Sequence, residues 1–518
     1  MFEAAELESA ITKAQYKARA PRLRTDLLDA QRRLREHGRF PVIIVFAGVD
    51  GAGKSETVNL LNEWMDPRWL VTTAFGDPSD EESERPLFWR YWRALPPRGR
   101  VGLYLSTWYS PPLLNRVYRQ IKIAEFDEAL SRIVQFEQAL SDDGALILKF
   151  WMHLGRDAHK KRLKKLQRSK LTRWRVSKLQ WRHWKMGDKF VAAGERIIEQ
   201  TSTGQAPWTI VEGFDERYRT ITIVTAIRDA IEGRLRAAGA SASQAPRAAG
   251  TKMSATAGPA PADASSATSP VEKTVHRPPD ARMILEHLDM TQKIDKKDFS
   301  RKLEERQGRL NRLHRRSVTR GLSTILVFEG WDASGKGGAI RRVTTALDAR
   351  GSRVVPIAAP NDEERAHHYL WRFWRHLPRA GVVTVFDRSW YGRVLVERVE
   401  GFAAPVDWQR AYHEINAFEE QLADHGIVLV KFWMHVTPDE QLRRFKDRER
   451  AAFKRWKLTD EDWRNRERWN DYARAVNEMV ERTSTHFAPW TLVEANDKCF
   501  ARIKVLDTVN KSLEKALD

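Results

Sequence analysis

Short apolar runs separated by longer, charged, periodic segments recur along the chain, the alternation expected of a parallel sheet covered by helices. In the second half the predicted strands are residues 324–329, 354–358, 382–386, 427–433 and 490–494. Their near-continuous apolar character suits strands buried on both faces. The charged stretches 4–37 and 284–316 read as helices preceding each sheet. No stretch approaches the roughly 18 apolar residues of a membrane span, and Glu3, Glu6, Lys13 and Lys17 interrupt any apolar leader. The expectation is a soluble cytoplasmic protein without a membrane partner.

The pattern is written twice. VIIVFAGVDGAGKS (42–55) returns as TILVFEGWDASGKG (324–337), and Lys54 and Lys336 stand 282 positions apart. The same offset carries RYWRALP (90–96) onto RFWRHLP (372–378), KFWMH (149–153) onto KFWMH (431–435), and TSTGQAPW (201–208) onto TSTHFAPW (483–490). Solenoid units run about 20 to 50 residues, so this repeat is a duplicated domain, and each copy is large enough for its own core. The division expected is 1–236, 237–280 and 281–518. Residues 237–280 are rich in Ala, Ser, Pro and Gly and nearly lack aromatics, the composition of a mobile tether.

Charge narrows the class of partner. The net charge of +20 favours polyanions: nucleic acid, acidic membrane or phosphate polymers. The one cysteine, Cys499, excludes an internal disulfide framework and suits a reducing compartment; a small buried apolar role is expected of it. Most of the 20 tryptophans, Trp151 and Trp433 among them, read as core.

Gly48-Val-Asp-Gly-Ala-Gly53-Lys54-Ser55 follows an apolar run and opens a helical segment, the context in which a P-loop pattern is specific. Backbone N–H groups of such a turn converge on phosphate oxygens and the lysine adds a movable positive charge. The second loop, Gly330-Trp-Asp-Ala-Ser334-Gly335-Lys336-Gly337, puts glycine where a hydroxyl usually holds magnesium. Each loop carries an acid, Asp50 or Asp332, an odd choice for an anion site unless the carboxylate holds a cation. A second acid, Asp387, ends the apolar run VVTVF and is followed by Arg388. That places it at the carboxyl edge of the sheet beside the loop, where Asp332 and Asp387 can share Mg2+, an ion that uses one or two carboxylates plus water and substrate phosphates. The first copy has Leu105 and Ser106 there instead. Downstream of KFWMH lie basic stretches, 159–170 in the first copy and Arg443, Arg444, Lys446, Arg448, Arg450, Lys454, Arg455 and Lys457 in the second. Segments of this kind can close over phosphates.

GWDASGKG, LWRFWRHLP, FDRSWY and KFWMH, in this order, resemble the second family of polyphosphate kinases, and the duplication resembles its fused subgroup, which transfers phosphate from polyphosphate to AMP. The resemblance covers both halves, the tether excepted. It implies an α/β fold of two tandem P-loop kinase domains, thymidylate-kinase-like, each with a parallel sheet flanked by helices and a basic helical lid. It also implies Mg2+ dependence and a channel for inorganic polyphosphate. Asp332, Lys336, Asp387 and Arg388 match the catalytic positions. Ser334, Gly335, Lys336 and Gly337 are then expected on phosphate, with Arg443, Arg444, Arg448, Lys454 and Lys457 guiding the polymer from the lid. Arg372, Arg393 and Glu397 are weaker candidates for nucleotide contacts. Ser55, Leu105 and Ser106 depart from the family pattern, so the first copy is expected to be catalytically degenerate and to replace a partner subunit, with further homo-oligomers possible.

Three other readings stay open on the residues alone. A polyphosphate-dependent nucleoside diphosphate kinase has the same motifs. An ATP-dependent nucleoside monophosphate kinase shares the fold, though Gly337 and the extended basic lid favour a polymeric donor. A nucleic-acid-binding protein explains the charge and tryptophans, but has no need of Asp387 at a sheet edge beside a P-loop.

Overall fold

The apolar runs of each half become five parallel strands in the computed structural model, which describes residues 1–244, 283–450 and 459–518. In the N-terminal copy β1 (Val42–Gly48), β2 (Leu70–Ala74), β3 (Val101–Leu105), β4 (Leu146–His153) and β5 (Trp208–Glu212) pair in the order β2-β3-β1-β4-β5. In the C-terminal copy β6 (Thr324–Gly330), β7 (Ser352–Pro356), β8 (Val383–Asp387), β9 (Val428–His435) and β10 (Trp490–Glu494) repeat that order. The first strand of each copy is central, flanked by the third and fourth: Ile325 lies between Thr384 and Leu429, as Ile43 lies between Gly102 and Ile147. The chain therefore reverses its direction of winding at β1 and β6, and a crevice opens at their carboxyl ends, where α/β sheets bind ligands.

Two helical expectations need correction. The leading helices are shorter than the charged stretches suggest. In the first copy a 3-10 turn (Phe2–Ala5) precedes a helix Lys13–Glu36, whose start is fixed by a reciprocal cap between Thr12 and Gln15. In the second a turn Ile284–His287 precedes the helix Lys296–Thr319. The turns themselves pack on the core: Phe2 stacks on His153 with ring centres 4.4 Å apart, and Leu285 is buried. The helix Glu216–Gln244 also runs past position 237, the expected start of the tether, because its alanine-rich end has high helix propensity. The rest of that span, 245–280, lies outside the described residues.

KFWMH, SWY and TST recur because they build one buried network. Lys431 Nζ, fully buried, donates to Glu419 Oε2 at 2.7 Å, Tyr391 Oη at 2.8 Å and the Thr483 carbonyl at 2.7 Å. Lys149 does the same with Glu137, Tyr109 and Thr201 at 2.7, 3.0 and 2.7 Å. Burial costs each charge its hydration, and the pair persists because every donor is answered. Trp151 and Trp433 are buried, as expected.

The two copies meet through matching surfaces. Trp92 stacks on Trp374, its equivalent, at 5.8 Å and 14°; two equivalent residues touch only on a two-fold axis. Around it the contacts are reciprocal. Arg98 N donates to the Ala366 carbonyl at 2.8 Å, while at the matching positions the Ala380 backbone faces the Glu84 carboxylate and helps to hold its pKa down after Arg379. Arg85 Nε donates to the Leu377 carbonyl at 3.1 Å, while His367 hydrogen-bonds the Leu95 backbone. Trp92 packs on Phe136 and Trp374 on Phe418, so the apolar core continues across the junction. An isologous contact of this kind is the signature of a C2 dimer, here closed within one chain.

Candidate active site

The loop between β6 and the helix Lys336–Thr344 is shaped by backbone that side chains rarely permit. Gly330 (φ +150°) lies so close to Met434 that a Cβ would sit 2.4 Å from its carbonyl oxygen, and Gly335 (φ +107°) caps the helix in the left-handed region. Ala333 (φ +58°) and Arg388 (φ +65°) adopt left-handed backbone despite their side chains, a strain that clusters at functional sites. The resulting cavity, about 740 Å3, is lined by Asp332, Ser334, Gly335, Lys336, Gly337, Asp387, Arg388 and Arg448.

Its charges are held in a definite order. Lys336 Nζ folds back onto the Gly330 and Trp331 carbonyls at 2.5 and 3.1 Å, and burial holds its pKa below that of a free lysine. Asp332 Oδ1 accepts from Arg388 Nη2 at 3.2 Å and Oδ2 accepts from Asn465 Nδ2 at 2.9 Å. For Arg388 burial opposes the charge, but Asp332, Glu329, Glu461 and Asp387 outweigh it and hold the guanidinium above its ordinary pKa. Asp387 closes β8 opposite Phe328. Its carboxylate has no hydrogen bond or ion pair among the described residues, although its main chain is bonded to Ile357. No group of three or more His, Cys, Asp or Glu is placed to hold a metal ion among the described residues, so a cation here would rest on these two carboxylates, water and substrate oxygens.

Not every expected residue faces this cavity. Arg444 is 3% exposed, and all five of its N–H donors are used: Nε on Glu440, Nη1 on the Ala333 and Ser334 carbonyls, Nη2 on the Ala495 and Asn496 carbonyls. It clamps the loop from behind and has no donor left for a polymer, a correction to its assignment as a phosphate contact. Arg443 is exposed and pairs with Glu440 and Asp447; it does not line the cavity. Arg372 pairs with Glu364 at 3.3 Å and Arg393 with Glu397 at 3.2 Å, and none of Arg372, Arg393 and Glu397 lines the cavity. Lys454 and Lys457 lie outside the described residues. Cys499 is partly exposed rather than buried, with its thiol pKa raised by burial of the sulfur.

Arg341, Arg342 and Arg502 line the cavity and were missed. The signal was present: at the 282-residue offset the first copy has Asn59, Leu60 and Thr220 there, so the positive charge belongs to one copy alone. Glu329 was also missed. Buried beside the loop, with its pKa raised by burial, it accepts from Ser389 Oγ at 2.7 Å.

The N-terminal loop has the same backbone and different chemistry. Lys54 Nζ reaches the Gly48 and Val49 carbonyls at 2.6 and 3.0 Å. Asp50 pairs with His183 Nδ1 at 2.6 Å; burial opposes its charge, but the His183 hydrogen bond and Lys54 hold its pKa down at about 2. The Arg219 guanidinium covers Gly53, where a Cβ would sit 2.3 Å from it, and bonds Glu56 at 3.1 Å. The strand-edge positions are Leu105 and Ser106.

A P-loop at the switch point of a five-stranded parallel sheet, an acid on the neighbouring strand and a basic cavity define a phosphotransferase of the P-loop kinase class. The family model described as Polyphosphate kinase 2 (PPK2) matches residues 10–238 and again 293–518; the chain belongs to the polyphosphate kinase 2 family. It is 50% identical over 516 residues to a polyphosphate:AMP phosphotransferase of Pseudomonas aeruginosa, covering 100% of this chain and 99% of that one. It is 36% identical to a polyphosphate:AMP phosphotransferase of Acinetobacter johnsonii, covering 96% of each. A crystal structure of a polyphosphate kinase 2 from Pseudomonas aeruginosa superposes with a TM-score of 0.85 at 48% identity, over 100% of this chain and 99% of that one.

Proposed function

We propose that this chain transfers the terminal phosphate of inorganic polyphosphate to AMP, giving ADP and a polymer one unit shorter, and that the reaction takes place in the C-terminal copy. The observation that carries the location is Asp387: a carboxylate on the wall of the loop cavity without a hydrogen bond or ion pair among the described residues, with leucine at its place in the other copy. The named full-length relatives support the choice of donor and acceptor.

Phosphoryl transfer asks the protein chiefly to align two phosphates in line and to spread the charge of the transferring group. The loop amides and Lys336 take the phosphate of one partner, and Arg341, Arg342, Arg448 and Arg502 supply a positive wall for a polyanion. Lys336, parked on two carbonyls, has only to exchange them for phosphate oxygens. Asp332 and Asp387 fit Mg2+, which would neutralise phosphate charge when bound. Arg388, tied to Asp332, points its charge into the same cavity and offsets charge built up in the transition state. The AMP phosphate is already an anion near neutral pH, so the attack needs no general base.

The N-terminal copy, residues 1–236, acts as an internal partner subunit rather than a second catalyst. It lacks the strand-edge Asp-Arg pair and the three additional arginines, while supplying the other half of the two-fold contact. An enzyme of these substrates with one cysteine belongs in the cytoplasm. Product analysis with Mg2+, AMP or ADP as acceptor, and polyphosphate or ATP as donor, tests the reading. ADP formed from AMP and polyphosphate supports it; phosphorylation of ADP alone, or donation by ATP alone, overturns it.

A further inference from the structure

In the C-terminal copy two indoles fill the space behind the phosphate loop. Trp331 stacks on Trp469 with ring centres 3.7 Å apart and planes 8° from parallel, and Trp331 Nε1 donates to His435 Nδ1 at 3.1 Å. At the 282-residue offset the N-terminal copy has Val49 and Gly187. Both indoles are gone, and a cavity of about 190 Å3 opens there, against about 80 Å3 beside the stacked pair.

The partner of the missing indole is still present. His153, equivalent to His435, is 1% exposed; its Nε2 hydrogen-bonds the Glu6 carboxylate at 2.7 Å. A carboxylate only accepts, so Nε2 carries the proton and Nδ1 of the neutral ring is an acceptor. That Nδ1 is buried and has no hydrogen-bond partner among the described residues. A second ring, His159, is 5% exposed, lies against the loop at Gly51 and lines the same cavity with its Nε2 also unpartnered. Buried polar atoms are nearly always answered, and one left bare beside a cavity marks a missing group. Phe190 and Trp184 add aromatic walls, and Arg156 stands at the rim, half exposed.

We propose that the N-terminal copy binds an adenine nucleotide as an effector, its purine ring occupying the slot of the lost indoles and its exocyclic amine donating to His153 Nδ1. The ligand must be a flat bicycle, because the C-terminal copy fills the slot with one, and must carry an N–H, because the indole does. The cavity is smaller than the roughly 300 Å3 of the smallest ordinary ligand pockets. It takes the ring and leaves the sugar and phosphate at the rim beside Arg156. The site is distinct from the catalytic cavity and stands whether or not AMP is the acceptor there.

Equilibrium dialysis of labelled AMP against the full chain, without polyphosphate, tests this. The double variant Val49→Trp/Gly187→Trp restores the indole pair; a Cβ added at Gly187 meets nothing within 4 Å. It is expected to bind one AMP fewer per chain than the wild type: one against two, or none against one if the catalytic copy does not hold AMP. An unchanged number overturns the proposal. Should the double variant not fold, Val49→Trp alone returns an N–H to His153 and is read the same way. At this site purine riboside 5′-monophosphate, which lacks the exocyclic amine, is expected to bind about tenfold more weakly than AMP for one lost hydrogen bond; equal affinity overturns the assigned pose.

Discussion

Lys54 and Lys336 hold the same posture on two backbone carbonyls, six and five residues back along the chain. Their surroundings differ in kind. Around Lys336 stand Asp332, Asp387, Arg388 and four further cavity-lining arginines; around Lys54 stand Asp50 bound to a histidine, and a loop covered by Arg219. The loop geometry is a property of the fold, since Gly48 and Gly330 must both pass close to a strand backbone whatever the loop does. The chemistry is a property of a few side chains around it. A retained P-loop is therefore no proof of retained catalysis in a duplicated domain.

The sharpest break in the comparison is expected at the strand edge. Asp387→Asn or Lys336→Ala should lower kcat by about a thousandfold or more while the protein stays folded, as for loss of preorganised charge at phosphoryl transfer. Lys54→Ala should leave kcat within about twofold. Steady-state rates of ADP formation decide, and wild-type turnover in Asp387→Asn would place the reaction elsewhere.

Next in size is the junction, where the copies should behave alike. Trp92→Ala and Trp374→Ala each open a cavity on the pseudo-two-fold axis and should each cost about 3 kcal/mol, read as matched losses in urea midpoint. A large loss in one and none in the other would show that the contact is not isologous in energy. Arg444→Ala and its counterpart Arg162→Ala should differ. The first strips hydrogen bonds from four backbone carbonyls and the Glu440 carboxylate and should cost about 2 kcal/mol. The second removes a partly exposed pair with Glu56, worth about 1 kcal/mol or less.

A pH dependence also differs between the copies at one position, where the first has His159 and the second Gln441. His159 faces Asp50, Lys54, His183 and His153, and burial above all holds its pKa at about 4, against 6.5 for a free ring. Between those values the unfolded chain binds the proton and the native ring does not, so stability present above pH 6.5 is lost as the pH falls toward 4. His159→Gln, which installs the residue of the C-terminal copy, should flatten that part of the Tm profile. An unchanged slope would assign the proton uptake to other groups.

The amino-acid sequence by itself determined the duplication, the five strands of the second sheet to within two residues at each start, and the residues Asp332, Lys336, Asp387 and Arg388 that the cavity brings together. Each was legible because apolar periodicity and glycine spacing are local properties of the chain. It also held the differences between copies, Arg341 and Arg342 against Asn59 and Leu60, for a reader who compared them. Only the tertiary structure decided what a basic residue does once buried. Arg444 and Arg443 are neighbours in one charged run, yet one faces inward and spends every donor on four carbonyls and Glu440 while the other meets solvent, because a helix turns about 100° per residue and only packing says which face is covered. Packing likewise joined Trp92 to Trp374 and left His153 Nδ1 bare where Val49 replaces an indole, relations between residues far apart in sequence that no local pattern contains.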